Sequence, residues 1–436
     1  MAMNPKEDEC FKEKDRISQL PDTIIHEILG FLPIRSAART IILSHRWKNV
    51  FSSIPDLNFT SIDSSTQTRR MLHYKAESPE DINFIINVLF LRDMNLCIRT
   101  LKLKSFHSTI FNCLIKYPNF IDVQNLDMMV TIQDDLYIPW DIINCGYLKV
   151  LSLNILCFNY KHILPLPMNI DFKLLHTLNL SKLSFLIFFN DSPTLLNLFT
   201  DSLFPCLNKL TLDSCYGVTE LNLRCSMLTD LLIKDCCLQK LNIYGLNLET
   251  LKVERCFDDT IDKKVTVVAP VIKLLKWILS INDVKFISKV KFESLRTLQI
   301  CIEYYPFNNY NNFSEIAILF KNSPYLETLI VTINTFYKDD TILFSDSSDY
   351  KDWQDQGLEM NYSLYHLRTV KLDRFLECDK HIDLAKFLLK HGKVLENMIV
   401  CLGPLDNDIQ LVCQRRIESM LMGFFRASSK VKIVFQ

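Results

Sequence analysis

The 436-residue sequence predicts an α/β (α+β solenoid) fold, in which a short helical module precedes an array of strand-forming repeats. Two observations predict this fold. An apolar pattern with the spacing LxxLxL recurs through most of the chain, and alternating apolar positions of this kind mark a short strand with one buried face. Near the N-terminus, apolar residues instead recur three and four positions apart, which is the period of an amphipathic helix.

Composition limits the classes of function that the chain is expected to have. Apolar residues make up 48% and charged residues 23%, as in globular domains, and the formal net charge of -1 disfavours nucleic acid as the main partner. The phosphate-binding loops GxGxxG and GxxxxGK[ST] are absent, as are CxxC, HExxH and GxSxG. We therefore expect a protein that is not an enzyme, with no catalytic residues, no cofactor and no metal.

The cysteines and the N-terminus predict the compartment. The first residues are charged and lack the apolar core of a secretory signal. The longest apolar candidate, 265–281, is interrupted by Lys273 and Lys276, so we expect no membrane span. Fifteen cysteines scattered through such a chain are expected to be reduced thiols, without disulfides. These features predict a cytoplasmic and/or nuclear location.

The segment 20–33 predicts the first helix of the N-terminal module. Pro21 suits the first turn of this helix and Pro33 ends it. Ser36 is expected to cap a second helix, and 44–51 predicts a third. The apolar stripe of the first helix consists of Ile25, Ile28, Leu29 and Leu32. So small a module has more apolar surface than it can cover, so this surface either packs on the rest of the chain or meets a partner.

The segment 15–59 resembles the F-box of large plant protein families. The matching features are the initial DRIS, the Leu-Pro pair, the ILxFLP core, Leu-Ser before Arg-Trp, and the closing IPDLNF. Gly30 and His45 depart from the usual Ser and Lys. The resemblance implies binding to the Skp-family adaptor of an SCF ubiquitin ligase. The residues that it places at the adaptor contact are Leu20, Pro21, Ile24, Ile28, Leu29, Leu32, Leu43, Ser44 and Trp47.

A linker rich in Ser and Thr follows the module. Ser78, Pro79 and the acids after them then have the composition of a helix start. Apolar residues at helical spacing continue to Phe90. We expect this helix to cap the apolar end of the repeat array, because arrays of this kind need a cap.

The repeat pattern occurs fourteen times, which predicts a leucine-rich repeat array. Steps between the early and between the late copies are about 23–41 residues, in the range of one leucine-rich coil with loops of variable length. The first residues of the copies are Ile98, Val123, Leu148, Leu175, Leu207, Val218, Leu228, Leu238, Leu248, Ile272, Leu295, Leu326, Leu367 and Leu395.

The copies between 207 and 253 start only about ten residues apart, which is too short for one coil. Cys215, Cys236 and Cys256 follow alternate copies only. The coil is therefore expected to have 20 or 21 residues and a strand on both sides, with the cysteines stacked along one edge. These thiols either pack in the turns or have a metal or redox role.

Two irregular segments interrupt the array. The Asn- and aromatic-rich 301–315 is expected to be a loop. The segment 338–359 contains seven acidic residues and two lysines. It is either a solvated loop or a binding site for a basic partner.

The C-terminal segment resembles the FBD region of plant F-box/leucine-rich repeat proteins. A strand pattern at 366–375 is followed by a helical pattern at 382–400, and then by a helix and a final strand in 415–436. The predicted domains are an F-box at 15–60, a linker and capping helix at 61–97, leucine-rich repeats at 98–365 and an FBD-like region at 366–436.

The resemblance implies a substrate-recognition subunit of an SCF-type cullin-RING ubiquitin ligase. The F-box would bind the Skp-family adaptor, and through it a cullin, while the repeats would bind a protein target. Two alternatives remain open: an F-box interaction scaffold without proteolysis, and a receptor whose repeat surface needs a small molecule. No nucleic acid or membrane partner is expected.

Overall fold

A computed structural model gives the structure of the chain in two compact units, 1–130 and 131–436. None of the helices in the part that the structure describes is long and apolar enough to cross a membrane. The described residues are 17, 19–60, 79–93, 96–106, 123–132, 146–157, 172–183, 198–257, 264–279, 291–304, 319–335, 364–375, 379–403 and 407–436.

The first unit begins with short helices, and proline sets the start of the first two. Pro21 and Pro33 lie at the N-caps, with φ of -59° and -53°, and their carbonyls accept the first backbone hydrogen bonds. Pro21 therefore precedes the first helix by one residue. Ser36 lies inside the second helix and does not cap it, because Pro33 already provides a fixed φ and needs no N–H partner. The elements are α1 (Asp22–Gly30), α2 (Ile34–Arg39), a 3₁₀ helix (Thr40–Leu43), α3 (His45–Ser52) and α4 (Pro79–Phe90).

The first unit also contains parallel strands. β1 (Asp56–Asn58) lies between α3 and α4 in sequence, and β2 (Thr100–Phe106) and β3 (Asn125–Ile132) follow α4. The sequence did not predict β1, whose Leu57 pairs with Leu101 of β2. The buried guanidinium of Arg92, just after α4, donates to the carbonyls of Ile54 and of Cys97. This side chain ties the end of the helical module to the start of the strands.

The second unit contains a long, all-parallel sheet. Its strands pair in the order β4, β5, β7, β9, β11, β13, β14, β15, β16, β17 and β18. Their bounds are β4 (Val150–Cys157), β5 (Thr177–Ser181), β7 (Lys209–Asp213), β9 (Asp230–Lys234), β11 (Thr250–Glu254), β13 (Leu274–Leu279), β14 (Thr297–Tyr304), β15 (Thr328–Thr335), β16 (Thr369–Phe375), β17 (Asn397–Leu402) and β18 (Lys432–Phe435).

A smaller parallel sheet accompanies the middle of this array, in the order β12, β10, β8, β6. The prediction of a coil with a strand on both sides is confirmed, because β8 and β10 belong to the smaller sheet whereas β7, β9 and β11 belong to the long one. The bounds are β6 (Phe199–Thr200), β8 (Glu220–Arg224), β10 (Lys240–Tyr244) and β12 (Lys264–Val268). The sequence did not predict β6 or β12.

Every predicted copy of the repeat forms a strand, because its two alternating residues point into the core. Leu210, Leu231 and Leu251 are in register on neighbouring strands, and all three are almost fully buried. The two sheets share this core, since one small cavity is lined by Leu212 of β7 and by Leu221 of β8.

A recurrent turn ends the strands of the long sheet. Ser214, Asp235 and Arg255 have φ of 55°, 50° and 49°, and each is followed by one of the three aligned cysteines. The amide N–H of Ser214 and that of Asp235 each donate to the carbonyl of the next strand, at 2.8 Å. The residue with positive φ thus continues the backbone hydrogen bonding between the strands. It also directs the side chain of the following cysteine into the core.

Two expectations for the later part of the chain are wrong. The segment 301–304 is not loop but the end of β14, and 305–315 lies outside the described residues. The helical pattern 382–400 divides into helix α5 (Asp379–His391) and strand β17. Gly392 separates them, and a Cβ there would lie 2.8 Å from the Leu388 carbonyl oxygen and 3.2 Å from the Leu395 Cβ. The chain then continues through α6 (Asn407–Gly423) to β18.

The predicted boundary at 365/366 falls within one ladder. Thr328 of β15 pairs with Thr369 of β16, and Asn397 of β17 pairs with Lys432 of β18. The strands before and after the boundary therefore belong to the same sheet.

Candidate functional site

The apolar stripe of α1 divides between two environments. Ile25 and Leu29 are buried, whereas Ile28 is 42% exposed and Leu32 is 40% exposed. The buried pair faces the other helices, whose buried residues include Val50 and Phe51 of α3. The exposed pair provides apolar surface that the described residues leave uncovered.

Arg46 joins the start of α1 to the start of α3. Its Nη2 donates to the carbonyl oxygen of Leu20, and its guanidinium also binds Asp22 Oδ1 from Nη2 at 2.7 Å and from Nε at 3.1 Å. This clamp holds the Leu20-Pro21 pair beside the turn that contains Leu43 and Ser44. Residues more than twenty positions apart in sequence therefore lie on one part of the surface.

The start of α3 is fixed by a side-chain cap. Ser44 is in an extended conformation, and its Oγ accepts the Trp47 amide N–H at 3.3 Å. At the other end of the helix, the His26 Nε2 lies 3.0 Å from both the Val50 carbonyl oxygen and the Ser53 Oγ. Side-chain hydrogen bonds thus connect both ends of α3 to the start or the middle of α1. These contacts fix the backbone that carries the exposed apolar residues.

Eight of the nine residues predicted at the adaptor contact are at least partly accessible. Leu29 is the exception, with a side chain that is 2% exposed, so in this structure it supports the packing of α1. The accessible residues are Leu20, Pro21, Ile24, Ile28, Leu32, Leu43, Ser44 and Trp47.

Two further apolar residues, absent from the predicted set, are more exposed than Ile24, Ile28, Leu32 and Leu43. Phe31 is 89% exposed in the turn after α1, and Ile42 is 88% exposed in the 3₁₀ helix. Their place in the sequence could have indicated this exposure, because large apolar residues in short connections between helices have little chance of reaching a core. We name the surface formed by Leu20, Pro21, Ile24, Ile28, Phe31, Leu32, Ile42, Leu43, Ser44 and Trp47 the apolar F-box face.

The outward side of the long sheet has a different chemistry. Its middle row contains Thr211, Leu232, Lys252 and Lys276 on successive strands, so polar, apolar and basic side chains alternate. The Lys276 Nζ lies 2.5 Å from Glu254 Oε1 on the neighbouring strand. The outward surface of these strands is therefore chemically mixed and partly ion-paired. The acidic segment 338–359 lies outside the described residues.

The three aligned cysteines lie in the core. Their side chains are at most 2% exposed, and the thiols of Cys236 and Cys256 donate to backbone carbonyls of the preceding strands at 3.2 Å. The hydrogen bond with Cys236, together with burial, raises the pKa of the Cys215 thiol. Burial and the hydrogen bond with Cys236 raise the pKa of the Cys256 thiol. The hydrogen bonds with Cys215 and with Cys256 lower the pKa of the Cys236 thiol. The burial of all three side chains suits packing in the turns. Among the described residues, no group of three or more His, Cys, Asp or Glu is arranged to hold a metal ion.

Comparison with known proteins finds family models that match two parts of the chain. The F-box domain model matches residues 17–58, and the At1g61320/AtMIF1 LRR domain model matches residues 260–430. A putative F-box/FBD/LRR-repeat protein of Arabidopsis thaliana is 31% identical, covering 98% of this chain and 96% of the relative. An FBD-associated F-box protein of the same plant is 24% identical, with 98% of each chain covered. The chain therefore belongs to the plant F-box/FBD/LRR-repeat family.

Proposed function

We propose that the chain is a substrate-recognition subunit of an SCF-type cullin-RING ubiquitin ligase. Its F-box binds the Skp-family adaptor, and through it a cullin, while the repeats bind a protein target. In this role the chain makes and breaks no bonds itself. It raises the effective concentration of the target near the ubiquitin-charged enzyme of the assembly.

The observation that carries this proposal is the exposure of the apolar F-box face. Large apolar side chains that stay in water within so small a unit mark a surface for a partner. Complete burial of one Leu, Ile or Phe side chain contributes roughly 1.5–3 kcal/mol. Phe31, Ile42 and Leu43 are each more than 60% exposed, so their burial against a partner would stabilise a complex.

The repeat unit supports the second half of the proposal. Its parallel strands present outward side chains in register, which provides a broad surface for a target. We further propose that a three-helix F-box precedes a curved solenoid, and that the protein acts in the cytoplasm and/or nucleus. Small-angle scattering of the purified chain and imaging of a fluorescent fusion are the corresponding measurements.

Affinity purification of the full chain, with and without proteasome inhibition, tests the proposed activity. The proposal expects the Skp-family adaptor and a cullin to co-purify, together with a bound protein whose amount rises when the proteasome is inhibited. Recovery of the adaptor without a cullin would instead support a scaffold without proteolysis. Failure to recover the adaptor would contradict the F-box assignment itself.

A pair of matched variants separates binding from folding in that experiment. The variant Ile42→Ala/Leu43→Ala removes two side chains of the apolar F-box face. The control Leu246→Ala/Val268→Ala removes two exposed apolar side chains of the second unit. Only the first variant is expected to lose the adaptor, while both retain the circular dichroism spectrum of the parent chain.

A further inference from the structure

A cavity of about 340 Å³ lies in the second unit, in the turns that precede the last three strands. Its lining comes from residues 365–368 before β16, 393–396 before β17 and 427–430 before β18. This volume is within the range of small-ligand sites, about 300–1,000 Å³. The cavity shares no residue with the apolar F-box face.

The charge of the lining is strongly one-sided. Arg368, Lys393 and Lys430 contribute three positive charges, and Glu396 contributes the one negative charge, so the formal excess is +2. The Arg368 Nη1 lies 3.7 Å from Glu396 Oε1, with both side chains at least half exposed. A contact at this distance between exposed groups is weak. The guanidinium is therefore available for a better acceptor.

Lys393 is held in place by an aromatic neighbour. Its Nζ lies 3.1 Å from the Tyr365 hydroxyl oxygen and 4.6 Å from the centroid of the same ring. These contacts restrict a side chain that would otherwise be free in solvent. A cation fixed in this way loses less conformational entropy when an anion binds.

The third turn that lines the cavity, 427–430, is held in place by hydrogen bonds of a buried serine. The buried Ser428 donates its Oγ hydrogen to the Leu395 carbonyl oxygen at 2.6 Å, and the Lys430 amide N–H donates to the same Oγ at 3.3 Å. The backbone that carries Lys430 is thereby attached to the turn that carries Lys393. The exposed Ser429 between them adds a hydroxyl to the lining.

We propose that this cavity binds a phosphate monoester. A dianion matches the excess charge of +2, and the planar guanidinium of Arg368 can donate two parallel hydrogen bonds to phosphate oxygens. Lys393 and Lys430 contribute point charges, while Ser429 and Tyr365 provide neutral hydroxyls. The phosphate is carried either by a small metabolite or by a phosphorylated side chain of a protein, and the two sources differ in what surrounds the phosphate group.

Calorimetric titration of the full-length protein tests the proposal with two probes, glycerol 2-phosphate and N-acetyl-O-phosphoserine amide. We expect saturable binding of at least one probe, weakened about tenfold or more in Lys393→Ala/Lys430→Ala, since each cation makes a charge-assisted contact. Tighter binding of the phosphoserine probe would assign the site to a modified protein, and tighter binding of glycerol 2-phosphate would assign it to a metabolite.

The matched control is Lys209→Ala/Lys264→Ala, which removes the same charge from two exposed strand positions outside the cavity. Its affinity for the probe is expected to stay within about twofold of the parent chain, because screening at physiological salt limits the effect of distant charges. Equal weakening in both variants, or no binding of either probe to the parent chain, would overturn the proposal. If the cavity variant loses its circular dichroism spectrum, Lys430→Gln, at an exposed position, replaces it in the same comparison.

Discussion

The helical module and the middle of the repeat array use apolar residues in opposite ways. In the strands of 207–257, the inward-pointing residues are almost fully buried within their own unit. In the module, Phe31, Ile42 and Leu43 remain more than 60% exposed. The array therefore uses its apolar side chains for its own stability, whereas the module leaves part of them exposed, and under the proposed function these contact the adaptor.

This contrast explains why the two regions are expected to respond differently to the same kind of substitution. Truncating a buried residue of the array leaves a cavity in a core that is continuous along the strands. Truncating an exposed residue of the module leaves no such cavity, and under the proposed function it removes a contact with the adaptor. Substitutions in the core of the array should therefore lower stability, whereas substitutions at exposed residues of the module should weaken partner binding.

The largest effect is expected from Leu251→Ala in β11. Leu251 is fully buried and in register with Leu231 and Leu275. Its truncation should lower the free energy of unfolding of the second unit by about 2–5 kcal/mol. Urea denaturation followed by circular dichroism measures this change. A loss below about 1 kcal/mol would mean that the repeat core is loosely packed and that the contrast between the regions is weaker than the structure indicates.

The next effect concerns the partner of the module. The variant Leu20→Ala/Pro21→Ala should weaken binding of the Skp-family adaptor by roughly 10- to 1000-fold, since two anchors of an interface are removed. The repeat unit should remain folded, because its core contains neither residue. Surface plasmon resonance with the purified adaptor gives the affinity. Unfolding of the module in this variant would show that its apolar face is internal core, and unchanged affinity would remove Leu20 and Pro21 from the contact.

A smaller effect is expected from a polar group buried in the second unit. His381 packs against the Phe375 ring at a centroid distance of 5.3 Å, and burial lowers the pKa of its imidazole to about 4. The unfolded chain binds this proton near pH 6.5, so the folded state loses stability as the pH falls from about 6.5 towards 4. The loss should reach up to about 3 kcal/mol at the lower limit.

Denaturation of the parent chain and of His381→Phe at several pH values isolates this contribution. The difference between the two proteins should grow as the pH is lowered through this window and stay constant above about pH 7. A constant difference over the entire range would show that the histidine remains neutral in both states or is accessible to water when folded.

The smallest expected effect is that of Leu43→Ala on stability. Because the side chain is 63% exposed, its truncation should change the free energy of unfolding of the module by less than about 0.5 kcal/mol. Thermal denaturation of the parent and the variant side by side measures it. A destabilisation above about 1.5 kcal/mol would place Leu43 in the core and remove one member of the apolar F-box face.

The strands were the easiest feature to predict because their signal is local. Two alternating apolar residues, such as Leu231 and Ile233, are sufficient to mark a short strand with one buried face. The same local signal could not show that Leu29 is buried while Ile28 is exposed, since both lie on one helical stripe and the neighbouring helices decide between them. The weak strands β6 and β12 lack the full pattern, and they form because β8 and β10 offer hydrogen-bonding partners.

The cavity before the last strands could not be predicted from spacing. Arg368, Lys393 and Lys430 are 25 and 37 residues apart, and each alone has the sequence context of an ordinary surface cation. Only the register of β16, β17 and β18 brings their turns together. The apolar F-box face differs in this respect, because its residues come from one short segment with a recognisable pattern.

The strict alternation along the five-residue strands β5, β7, β9 and β11 also has a consequence for how this surface can change. In β11, Leu251 and Val253 point inward, whereas Thr250, Lys252 and Glu254 form a separate set that points outward. Each strand thus offers three variable positions that can be exchanged with little effect on the core. If this face binds the target as proposed, mutation can alter its binding preference one strand at a time while the fold is retained.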